Sequence, residues 1–159
     1  MKFDSKLCTA LSLVIISSGA MAAEKDVSEK QVPAAVHATF KQAYPGSKDV
    51  KYQEETADGK TVYEVEFKDK GKDLEASYSA EGSLIETEET IKTSELPKPI
   101  VDAVKAKYPK AVLKEAEKVL KPDGTVSGFE VDITEGKTAM ELELDTTGKI
   151  LIAEVEKKG

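Results

Sequence analysis

Apolar residues fall in two registers along this chain. Between Val32 and Tyr44 they recur every four residues, at Val36, Phe40 and Tyr44, which draws one stripe down a helix. Pro33 suits a first helical turn, where its missing N–H would be unpaired anyway, and Pro45-Gly46 stops the run. The period then changes to two. Tyr63, Val65 and Phe67 alternate with Glu64 and Glu66, the pattern of a strand with one face buried. The alternation predicts strands at 48–55, 61–68, 73–79 and 84–90. Turns fall at Asp58-Gly59, Lys70-Gly71 and Glu81-Gly82, since glycine supplies the positive φ of tight hairpins.

The same succession occurs a second time. Ile100, Val104 and Tyr108 form the stripe between Pro97 and Pro109, and strands are expected at 111–120, 126–134, 138–145 and 149–155. Val32-Pro33 matches Leu96-Pro97 and Tyr44-Pro45 matches Tyr108-Pro109, both 64 residues on; Tyr63-Glu64-Val65 matches Phe129-Glu130-Val131, 66 residues on. The expectation is an α+β fold of two tandem repeats, 32–91 and 96–155. Each is a short helix packed on a four-stranded antiparallel β-meander. The glycine spacing is too short for the crossovers that a parallel sheet needs. A unit of about 60 residues is marginal alone, so the two should pack together. Ile150, Leu151 and Ile152 are apolar on both faces, which suggests a last strand at the junction.

The ends differ from this pattern. Lys2 and Lys6 precede an apolar run from Leu7 to Ile16, followed by the small residues Ser17 to Ala20 and then Ala20-Met21-Ala22. That order of charge, apolar core and small-residue site is a signal peptide over 1–22, too short to cross a bilayer. Residues 23–31 read as a flexible lead-in and 156–159 as a solvated tail. Export places the protein in the periplasm, or alternatively outside the cell. Cys8 is the only cysteine, so the exported chain has neither disulfides nor a cysteine metal site. The whole chain carries −7; removing Lys2, Lys6 and Asp4 leaves −8, which disfavours nucleic acid as a partner.

Catalytic chemistry has little to stand on. His37 is the single histidine and lies off the helix stripe, and no nucleophile elbow, zinc-binding helix or phosphate loop is present. The reading is a protein that is not an enzyme, with no cofactor. The notable polar residues are carboxylates on the wet side of the strands: Glu64, Glu66 and Glu75 in the first copy, Glu130, Asp132, Glu141 and Glu143 in the second. They form either an acidic surface for a cationic protein, peptide or metal ion, or an ordinary solvated face. If Lys70-Gly71 are the central turn residues, Glu66 faces Glu75 and the matching turn sets Glu130 opposite Glu141. A shift of one pair would set Lys68 opposite Glu75 instead. Like charges placed opposite each other are destabilising. No dedicated Ca²⁺ loop is present.

The residues Val32-Pro33, Tyr44-Pro45 and Asp58-Gly59-Lys60-Thr61-Val62-Tyr63-Glu64-Val65-Glu66-Phe67, with the strand and glycine turn that follow, resemble the PepSY-like family, also described as beta-lactamase-inhibitor-like. The second copy keeps Leu96-Pro97, Tyr108-Pro109, Asp123-Gly124 and Phe129-Glu130-Val131, but has Ser127-Gly128 where the first has Val62. The resemblance implies exported bacterial proteins with a helix on a four-stranded antiparallel sheet. It also implies a scaffold that binds a protein or peptide through its sheet face. The matching positions are turn and core residues, so the partner is not specified by them. The alternative function is a periplasmic binder of divalent cations or small cationic ligands through the paired acids.

Overall fold

A computed structural model describes residues 23–57 and 60–155. The expected signal peptide, the Asp58-Gly59 turn and the C-terminal tail lie outside the described residues. Nine strands follow in chain order: β1 (Ala23–Val27), β2 (Lys48–Ala57), β3 (Lys60–Asp69), β4 (Lys72–Ser79), β5 (Leu84–Ile91), β6 (Val112–Leu120), β7 (Val126–Glu135), β8 (Thr138–Asp145) and β9 (Ile150–Val155). Helix α1 (Ala34–Ala43) connects β1 to β2, and α2 (Lys98–Lys107) connects β5 to β6.

All nine strands belong to one sheet, each hydrogen-bonded to its neighbours in chain order and each pairing antiparallel. This overturns the expected fold of two tandem repeats, each a helix on its own four-stranded meander. The decisive contact is β5 with β6, running from Thr87 opposite Leu120 to Ile91 opposite Ala116. Two separate meanders would each leave an unpaired edge there, and pairing those edges satisfies both rows of backbone groups. The segment expected to be a flexible lead-in adds a further strand, with Val27 opposite Tyr52. Strand β9 lies at the outer edge, far from the β5–β6 junction, and leaves Val155 62% exposed.

Both helices gather a core beneath them. Val36 and Phe40 of α1 pack with Val27, Val65, Phe67, Ala76 and Tyr78. Ile100 and Val104 of α2 pack with Ala116, Phe129, Val131, Ile133, Leu142 and Leu144. Burying each of the Val, Leu, Ile and Phe side chains among these contributes roughly 1.5–3 kcal/mol. Tyr44 packs its ring against Phe67 (centroids 4.4 Å apart) and Phe40 (5.7 Å), so it belongs to the core, as its place in the stripe predicts. Each helix is preceded by a short 3₁₀ turn. There Gln31 and Glu95 accept the backbone N–H of Ser28 (3.0 Å) and Lys92 (2.9 Å). Gly82 and Gly148 then press against the first turns of α1 and α2. A Cβ would lie 2.7 Å from the Ala35 carbonyl in one case and 2.5 Å from the Pro99 oxygen in the other.

Candidate functional site: a carboxylate-bearing sheet face

Because strand residues alternate, the inward set on one side fixes the outward set on the other. With Val65, Phe67, Ala76, Val131 and Leu142 in the cores, the opposite face of the same sheet receives the acids. Register then sorts them into rows. One row runs Lys51, Glu66, Glu75, Glu88. The next runs Gln53, Glu64, Ser77, Glu86. A third runs Thr90, Glu117, Glu130, Glu143, and a fourth Glu115, Asp132, Glu141, Glu154.

The seven acids singled out in the sequence therefore lie on one continuous face. Two residues that sequence reasoning missed, Glu88 on β5 and Glu117 on β6, join the two groups. Their signal was present, since Glu86 and Glu88 on β5, and Glu115 and Glu117 on β6, show the same two-residue spacing as Glu64 and Glu66. That spacing acquires its meaning only from the pairing of β5 with β6.

Glu66 does face Glu75, as the turn at Lys70-Gly71 predicts. Glu130, however, faces Glu143, and Glu141 faces Asp132. The reason is in the turns. Lys70 and Gly71 both have positive φ, 50° and 82°, as in a type I′ turn. In the second hairpin Gly136 takes the positive φ, 65°, as the first of the two central residues, as in type II′. The glycine has moved one place within the turn, and the pairing moves with it.

These carboxylates are not solvated in the usual way. Glu64 is 2% exposed, Glu88 3%, Glu130 4% and Glu117 7%. Burial, then the neighbouring carboxylates Glu64, Glu88, Glu117 and Glu66, push Glu75 well above the ordinary range. Burial, then Glu117 and Glu86, do the same to Glu88. Glu130 is raised by burial and by Glu88 and Glu141. Glu117 is pushed up to about 7 by burial, opposed by the hydrogen bond that Thr90 Oγ1 donates at 3.0 Å. Burial with Asp132 and Glu143 raises Glu141 to about 9, and burial with Glu86 and Glu154 raises Glu143 to about 8.

Glu66 differs from its neighbours. Lys51 lies 2.7 Å from its Oε2. On the same face Lys68 pairs with Asp73, while on the helix side Lys72 and Lys118 reach Glu89 at 2.6 and 3.2 Å. His37 stacks on Tyr52 with centroids 5.9 Å apart, and its Nε2 lies 2.6 Å from Glu29 Oε1.

Comparison with known proteins follows the same outline. A family model described as beta-lactamase-inhibitor-like, PepSY-like matches residues 20–86 and 61–152. The chain belongs to this PepSY-like family. The two matched regions overlap over residues 61–86, which take in most of β3, all of β4 and the start of β5. No curated protein matches the chain. Among solved structures, a DUF2874 family protein from Bacteroides uniformis shares 20% identity, with a TM-score of 0.62, covering 77% of this chain and 88% of that one. A BLIP-like protein from Bacteroides fragilis has 20% identity and a TM-score of 0.58, over 80% of this chain and 89% of its own. A candidate periplasmic protein from Bacteroides eggerthii has 15% identity and a TM-score of 0.63, over 78% and 88%. At these identities the likeness is one of fold. Among the described residues no helix is long and apolar enough to cross a membrane.

Proposed function

We propose that this PepSY-like chain is an exported, non-enzymatic binding protein of the periplasm, and that its carboxylate face takes a basic protein or peptide partner without chemistry on it. The observation that carries this reading is the row structure of the face. Acids stand directly opposite acids at Glu66–Glu75, Glu75–Glu88, Glu117–Glu130 and Glu130–Glu143. Such pairs cost stability when left alone. A partner bearing lysines or arginines would turn that cost into attraction. Its approach would be steered by a field that salt screens over about 10 Å. The Bacteroides eggerthii neighbour, described as a candidate periplasmic protein, and the signal-like N-terminus support the compartment.

A defined probe tests this better than capture of unknown proteins. An oligolysine peptide is titrated against the protein at low and high salt, beside a variant with Glu66→Gln and Glu75→Gln. A control variant removes two charges elsewhere, with Glu95→Gln and Asp102→Asn. The expected result is salt-sensitive binding that the first variant loses and the control keeps. Equal loss in both variants would show that only net charge attracts the peptide, and the face would not be the site.

A further inference from the structure

Within the face, one cluster is tighter than the rest. A carboxylate oxygen from each of Glu88, Glu117 and Glu130 lies within 4.8 Å of the others, and all three residues are buried. They come from three adjacent strands, β5, β6 and β7. Glu130 also belongs to a second such group with Asp132 and Glu141. Crowding of acids alone would mean little. The independent observation is Glu88 itself: it is 3% exposed, and its Oε2 is buried with no hydrogen-bond partner. A buried acceptor in that condition costs stability, and more so when charged. Among the described residues, no lysine forms an ion pair with Glu88, Glu117 or Glu130.

We propose that Glu88, Glu117 and Glu130 form a binding site for a hard divalent cation, Ca²⁺ by preference. The donor set is all carboxylate oxygen, which suits Ca²⁺, Mg²⁺ or Mn²⁺ and not a soft metal. Oxygens within 4.8 Å of one another are close enough to share one such ion. Ca²⁺ accepts about 6–8 oxygens in a flexible arrangement, whereas Mg²⁺ demands a near-ideal octahedron, which three side chains held on a sheet do not supply. Thr90 fixes one oxygen of Glu117 through its hydroxyl, a supporting contact of the kind that orients metal ligands. The sheet supplies the rest of the rigidity, because the Thr90–Glu117 and Glu117–Glu130 pairs are fixed by ladder register. The site goes beyond the basic-partner reading and stands without it.

The test is calorimetric titration of the purified protein with CaCl₂ and with MgCl₂, in NaCl at about 0.15 M to screen diffuse attraction. Melting temperatures are followed in parallel. One saturable Ca²⁺ site is expected, with stabilisation on binding and weaker Mg²⁺ binding. Glu88→Gln and Glu117→Gln should each weaken Ca²⁺ by about tenfold or more, equivalent to about 1.4 kcal/mol. Glu66→Gln, on the same face but already paired with Lys51, should leave affinity within about twofold of the unaltered protein. These glutamines are close in shape to the acids and relieve repulsion, so folding survives. Absence of saturation up to roughly 10 mM, well above the range of weak extracellular sites, would overturn the proposal. So would equal weakening in all three variants, the mark of a diffuse ion atmosphere. Oligolysine binding can succeed while this titration fails, and the reverse, so the two readings fall separately.

Discussion

Replacing Glu143 by glutamine should make the cation-free protein more stable at neutral pH and leave it unchanged in acid. Glu143 faces Glu130 on β7, and on β9 its opposite residue is Ile152. Glu86 on β5 and Glu154 on β9 are the charges that act on it after burial, which together raise it from 4.5 to about 8. The unfolded chain therefore releases this proton near pH 4.5, while the folded chain holds it until about 8. The contribution is fully present below pH 4.5 and is lost as pH rises towards 8. Each unit of pH in that window removes at most about 1.4 kcal/mol. By pH 7.5 the limit is about 4 kcal/mol. Solvent still reaches part of the side chain, and screening reduces the figure to about 2 kcal/mol. Glutamine keeps the shape and cannot ionise. In chelator, urea denaturation should show Glu143→Gln ahead by about 2 kcal/mol at pH 7.5, roughly 8 °C in melting temperature, and level with the unaltered protein at pH 4. A constant difference at every pH, or a variant weaker at pH 7.5, would refute the argument.

Two further outcomes follow from other parts of the fold. Gly148→Ala should destabilise by about 2 kcal/mol or more, because φ is +90° and the new Cβ meets the Pro99 oxygen at 2.5 Å; Gly82→Ala should behave alike, and Gly124→Ala, with nothing within 4 Å, should show only the milder cost of its backbone angle. Urea midpoints compare the three. Glu89 carries the opposite pH sign to Glu143. The hydrogen bond from Lys72 first, and that from Lys118 after burial's opposing effect, hold it below its ordinary value, so its contribution is present above the unfolded value and lost as pH falls. Glu89→Gln should cost about 1 kcal/mol at pH 7, less in high salt, and nothing near pH 2.

Much of the local structure is legible in the residues. The four-residue spacing of Val36, Phe40 and Tyr44 marks α1, and the alternation at Tyr63 to Phe67 marks β3, because helix and strand periods are set by backbone geometry. Strand neighbours across the junction are a different matter. The pairing of Thr87 with Leu120 depends on two edges meeting after a helical detour, and no periodicity encodes that. The register of the second hairpin was hidden for a subtler reason. Glu135-Gly136-Lys137 can place its glycine at either central position, and the two choices differ by two residues in the partner of every acid on β7.

The β5–β6 pairing also changes the acidic face. Two four-stranded sheets would each present three or four acids, separated by a seam, and each set could spread its charge into solvent. One sheet removes the seam. Glu88 then stands opposite Glu75 on one side and Val119 on the other, while Glu117 stands between Thr90 and Glu130. The acids added by fusion are as deeply buried as their neighbours, at 3% and 7% exposed, and they sit at the middle of the array, where contributions from both halves converge. The influence of Glu117 on Glu75 and of Glu88 on Glu130 crosses the β5–β6 boundary in both directions. On the helix side each helix closes its own apolar cluster, and Lys118 reaches Glu89 across the boundary. Joining the halves therefore does little for the cores and much for the acidic face, which is the physical reason to look for this protein's function there.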